Sequence, residues 1–119
     1  MPILNFEFTD NLKIDAEIKL FLLETHNILA QEIKTDLLTC RSSISKISDY
    51  VIGDGNSNNA YIILRIQMLP GRTDDIKNRT GEILLEKIYS NFSDEIKKHD
   101  TQVRVSLTET DKKHYYGLE

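Results

Sequence analysis

The chain has 119 residues, enough for one compact domain and too few for two ordinary ones. With 39% hydrophobic and 29% charged residues, a formal net charge of −4 and no basic cluster, it reads as a globular protein whose main partner is not nucleic acid. A single cysteine, Cys40, excludes an internal disulfide framework; with no signal-peptide pattern and no run of the roughly 20 apolar residues a bilayer needs, the expectation is a cytoplasmic protein off the membrane.

Leu4, Phe6 and Phe8 alternate with Asn5 and Glu7, the period of a half-buried strand, and Thr9-Asp10-Asn11 end it with turn and capping residues. From Ile14 to Ile33 the apolar positions Ile14, Ile18, Phe21, Leu22, Ile28 and Leu29 recur at helical steps. A short connection over 34–39 leads to a second extended segment, Cys40 to Ile52, diluted by serines. Gly53-Asp54-Gly55-Asn56-Ser57-Asn58-Asn59 is a turn cluster. A clear strand follows, with Ala60, Ile62, Leu64, Ile66 and Met68 on one face and Tyr61, Ile63, Arg65 and Gln67 on the other. Pro70-Gly71 ends it. Thr73 reads as the N-cap of a helix that runs to Lys98, with Asp74 and Asp75 in its first turn. Val103, Val105 and Leu107 mark a last strand, and the tail from Asp111 carries no readable pattern.

The order is β-α-β twice, in pseudo-repeat halves of about 1–52 and 59–110 joined by a linker at 53–58. Two crossover units of this size predict an α+β fold: one four-stranded mixed sheet with both helices on one face, within a single domain over 1–119. The helix-facing side of each strand should be apolar. The other face is mixed, carrying Asn5, Glu7, Tyr61, Ile63, Arg65 and Arg104, and is either solvated or given to a second copy.

No metal-ligand spacing, no phosphate-binding glycine pattern and no nucleophile motif is present, so neither a metal nor a cofactor is expected. Pro2 has two readings. It starts an edge strand at little cost, or, once Met1 is trimmed, it is a free secondary amine able to act as a general base. Arg41, at the start of the second strand, and Arg72, between Gly71 and a helix N-cap, are candidate carboxylate binders.

Met1-Pro2 before a strand, Glu7-Phe8-Thr9-Asp10-Asn11 at its end, Arg41-Ser42, Asp54-Gly55 before Ala60-Tyr61, Gly71-Arg72 and Gly81-Glu82-Ile83-Leu84 form a collinear set. Together they resemble the tautomerase superfamily and, within it, the 5-carboxymethyl-2-hydroxymuconate Δ-isomerase family, from Pro2 to about Thr108. The resemblance implies a homotrimer and cofactor-free proton transfer in an unsaturated 2-hydroxy dicarboxylate such as 5-carboxymethyl-2-hydroxymuconate, with Pro2 as base and Arg41 and Arg72 on the carboxylates. Two other readings stay open: a tautomerase of another enol acid, phenylpyruvate-like, and a non-catalytic trimeric scaffold. The tail is shorter than in that family and the second strand richer in serine.

Overall fold

The computed structural model describes residues 1–118 and follows the expected order. β1 (Ile3–Thr9), α1 (Asp15–Glu32) and β2 (Arg41–Ile47) form one unit; β3 (Asn59–Met68), α2 (Asp74–Lys98) and β4 (Asp100–Glu109) form the other. The sheet order is β2-β1-β3-β4. Each unit pairs its own strands in parallel, and β1 meets β3 antiparallel at the centre. A parallel pair needs a long crossover, and in both units the helix supplies it.

The alternation read from sequence fixes the core. Leu4, Phe6 and Phe8 of β1 and Ala60, Ile62, Leu64, Ile66 and Met68 of β3 all lie buried beneath the helices. The register sets Phe6 opposite Leu64, and Leu64 beside Val105. From above, Phe21 of α1 and Phe92 of α2 close on Phe6, with ring centroids 5.6 and 5.7 Å from it and 5.4 Å from each other. Such tilted and edge-on pairs add about 0.5–1.5 kcal/mol each beyond the area they bury. The backbone leaves helical geometry at Phe92 (φ −121°, ψ 21°), so α2 is two helical pieces joined by a kink at that residue.

Three local expectations need correction. β2 ends at Ile47 instead of Ile52, so the link between the halves is longer than 53–58. β2 pairs with β1 along one edge only, and its ladder stops where β1 stops at Thr9. Its helix-facing side is apolar only at Ile44: Ser42 meets His26 of α1 (Oγ to Nε2, 2.7 Å) and Lys46 bonds Asp15 (2.8 Å). The serines are thereby explained, since Ser43 and Ser45 on the other face both accept from Asn5 Nδ2, at 2.9 and 3.0 Å. Finally, Thr9 and Asn11 do not cap α1, which begins after Ile14 without a side-chain cap. They bind β3 instead: Tyr61 N–H donates to Thr9 Oγ1 (3.1 Å) and Asn11 Nδ2 donates to the Asn59 carbonyl (2.9 Å).

Candidate active site

Pro2 is buried where β1 begins, and its carbonyl accepts from the backbone N–H of Arg41 at 3.2 Å. Beside it opens a cavity of about 250 Å³ whose wall includes Pro2, Lys34, Asp36, Thr39, Met68 and Arg72. These residues come from the start of β1, the α1–β2 link and the exit of β3. The two halves of the chain therefore meet at this cavity.

Arg72 reaches it through a defined turn. Gly71 has φ +124°, a backbone state that side chains rarely tolerate, and Thr73 then caps α2 by accepting from Ile76 N–H at 3.2 Å. The half-buried Arg72 donates from Nε to the Ile33 carbonyl (3.1 Å) and from Nη1 to the Leu69 carbonyl (3.0 Å). A guanidinium has five N–H donors, and these contacts use two. Among the described residues, no carboxylate lies within ion-pair distance of it. The arginine is held by neutral carbonyls and keeps its charge available to an anion.

The α1–β2 link shapes the opposite wall. Asp36 Oδ1 accepts from Leu38 N–H at 3.0 Å and caps the short 3₁₀ turn Leu37–Thr39. Thr39 donates to the Asp36 carbonyl at 2.7 Å, and its hydroxyl accepts from the Met1 amino group at 3.0 Å. The α-amino group of this 119-residue chain thus lies against the cavity wall. Lys34, just after the C-cap Ile33, has φ +55° and is the one described non-glycine residue at positive φ.

Arg41 is placed differently. It shares the outer sheet face with Ile3, and its Nη2 donates to the Tyr115 hydroxyl at 3.2 Å. The structure brings Pro2 and Arg72 to one cavity and leaves the Arg41 guanidinium outside that cavity's wall. Sequence reasoning missed Lys34, Thr39 and Tyr115. Tyr115 belongs to the tail, whose start is tied down: Thr110 N–H donates to the Met68 carbonyl at 2.7 Å, and Asp111 caps a second short turn at Lys113.

Further along the outer face, Tyr61 donates its hydroxyl to Glu7, and Arg65 Nη1 lies 3.1 Å from the other Glu7 oxygen. The Tyr61 hydrogen bond holds the Glu7 carboxyl below its usual range. Burial, reinforced by that carboxylate, pushes Tyr61 up to about 12. Cys40 is half-buried and burial raises its thiol, so it stays protonated at neutral pH and is a poor nucleophile. A larger cavity of about 700 Å³ lies at the opposite end of β3, beside His99 and Asp100, and holds no counterpart of the Pro2–Arg72 arrangement. No helix among the described residues is long and apolar enough to cross a membrane.

The sequence model of a family described as 5-carboxymethyl-2-hydroxymuconate isomerase matches residues 2–117. Among solved structures, a 5-carboxymethyl-2-hydroxymuconate isomerase from Deinococcus radiodurans R1 superposes with a TM-score of 0.89 at 24% identity, covering 98% of this chain and 88% of that one. A 5-carboxymethyl-2-hydroxymuconate delta-isomerase superposes with a TM-score of 0.86 at 13% identity, over 100% and 89% of the two chains. A fused 4-OT symmetric trimer gives 0.73 at 21% identity, over 92% and 86%. At these identities the structural likenesses show a shared tautomerase fold. No curated protein matches the chain in sequence.

Proposed function

The chain belongs to the 5-carboxymethyl-2-hydroxymuconate isomerase family and is an isomerase, and on that premise we propose that it shifts a proton, without a cofactor, within an unsaturated 2-hydroxy acid bearing two or more carboxylates. 5-Carboxymethyl-2-hydroxymuconate is the type substrate. The observation that carries the reading is that Pro2 and Arg72 line one cavity, with the arginine unpaired by any carboxylate among the described residues.

In the active form Met1 is absent and the Pro2 nitrogen is a secondary amine. An α-amino group titrates near 7.7–8.0, about right for a base at neutral pH, and the positive charge of Arg72 lowers it further. Pro2 takes the proton of the 2-hydroxyl; the O–H electrons form the C2 carbonyl, the double bonds shift, and the same proton is returned to a carbon along the chain. Arg72 holds the carboxylate and stabilises the dienolate charge as it develops. With Met1 attached, Pro2 is an amide nitrogen and cannot accept the proton.

Arg41 takes part only in an assembly. We propose a homotrimer in which the mixed outer face packs on neighbouring copies, putting Arg41 at a subunit boundary. The support is the half-buried, partly apolar outer face with Tyr61 and Ile63, and the trimer among proteins of the same fold. A mass in solution three times the 13.8 kDa chain is expected, and a monomer would contradict this part.

The test is ultraviolet-monitored ketonisation of 2-hydroxymuconate-type dienols by wild type, Pro2→Ala and Cys40→Ala. Activity falls in Pro2→Ala and persists in Cys40→Ala. Equal rates for wild type and Pro2→Ala would remove the proline base.

A further inference from the structure

A substrate with two carboxylates needs two cationic contacts, and Arg72 supplies one. Among the described residues, the other basic side chain on the wall of the Pro2 cavity, besides the α-amino group that is lost with Met1, is that of Lys34, not Arg41. Arg72 is tied to the residue beside it: the Ile33 carbonyl that accepts from Arg72 Nε belongs to the residue just before Lys34.

The backbone at Lys34 points the same way. The position after a helix C-cap in left-handed conformation is ordinarily glycine, because a Cβ there is strained. Here a lysine occupies it at φ +55°. Non-glycine residues in this region cost about 1–3 kcal/mol and concentrate where a side chain serves a site. Nor is the ammonium consumed elsewhere: no ion pair of Lys34 occurs among the described residues. The two carboxylates nearest in sequence have other partners: Glu32 lies 3.5 Å from Arg79 Nε, and Asp36 Oδ1 accepts from Leu38 N–H.

We propose that Lys34 is the residue that selects substrates with a second carboxylate: its ammonium binds the carboxylate far from the 2-hydroxyl while Arg72 binds the near one. This rests on the reading of the Pro2 cavity as the substrate site, but it concerns binding and is separable from the proton transfer. Muconate and sorbate share a six-carbon diene and differ in one terminal group, carboxylate against methyl. Neither carries the 2-hydroxyl, so neither is turned over by this chemistry.

Calorimetric titration with each ligand gives the preference directly. Wild type should bind muconate at least about tenfold more tightly than sorbate, the size expected of one charge-assisted hydrogen bond. Lys34→Gly suits the left-handed backbone, so it deletes the ammonium without straining the turn, and it should abolish the preference. Lys34→Arg should restore most of it. A preference that survives Lys34→Gly, or its absence from wild type, overturns the proposal; so does its loss in Arg41→Ala with Lys34→Gly unchanged. Failure of the proline mechanism is a different result, read from dienol turnover and not from these ligands.

Discussion

Arg72 Nε lies 3.1 Å from the Ile33 carbonyl, so the loop that follows β3 is latched to the end of α1. One hydrogen bond joins the second half of the chain to the first beside the Pro2 cavity. The same side chain therefore shapes the site and ties the two halves together beside it.

Arg72→Ala should accordingly fail in two ways. It leaves the Ile33 and Leu69 carbonyls without their donor, at a cost of about 1–3 kcal/mol in chemical denaturation. It also removes the carboxylate contact, raising KM for the dienol acid by roughly tenfold or more. Arg72→Lys should recover little of either, because a single ammonium lacks the fork that reaches both carbonyls and a ligand. A variant with wild-type KM would exclude Arg72 from substrate binding.

The Glu7–Tyr61 pair predicts a pH dependence of stability with two edges. Tyr61 is raised to about 12 in the fold against an ordinary value near 10, so its contribution is complete below about pH 10 and is lost as pH climbs toward 12. Glu7 is lowered, so its contribution holds above the ordinary carboxylate range and is lost as pH falls through its folded value. Alkaline titration of tyrosine absorbance should show one of the five tyrosines ionising late, and Tyr61→Phe should remove that step. A titration with no late step, or one whose late step survives Tyr61→Phe, would contradict the pairing.

Phe6 is the centre of the ring cluster, fully buried between Phe21 and Phe92. Phe6→Ala should cost about 3–5 kcal/mol by equilibrium unfolding. Phe6→Leu should cost appreciably less, because it keeps most of the volume. Equal losses would mean that edge-on ring geometry, more than cavity size, governs the core.

The fold was legible because its signals are periodic. The alternation of β3 and the three- and four-residue steps of both helices state directly which faces are buried, and Thr73 marks the start of α2 by its chemistry. β2 was the hard element, since its residues answer to partners distant in sequence. Ser42 serves His26, and Ser43 and Ser45 serve Asn5, contacts that leave no period behind. The same limit applied at the site. Pro2 and Arg72 stood out by residue type and neighbours, Pro2 after Met1 and Arg72 between Gly71 and a cap. Lys34 did not, because its left-handed backbone is a property of the turn after α1 and nothing in Ile33-Lys34-Thr35 announces it. Arg41 and Tyr115 lie 74 positions apart, and only the folded sheet edge brings them together.

The central claim is that the nitrogen of Pro2 is the base, and it is tested by comparing two forms of one chain. Dienol ketonisation is measured for protein verified by intact mass to lack Met1 and for protein verified to retain it. Only the first has a basic nitrogen at Pro2, so the Met1-bearing form should be slower by about 10²–10⁴-fold, the range of general base catalysis. Equal rates in the two forms would show that the proton is moved by another group.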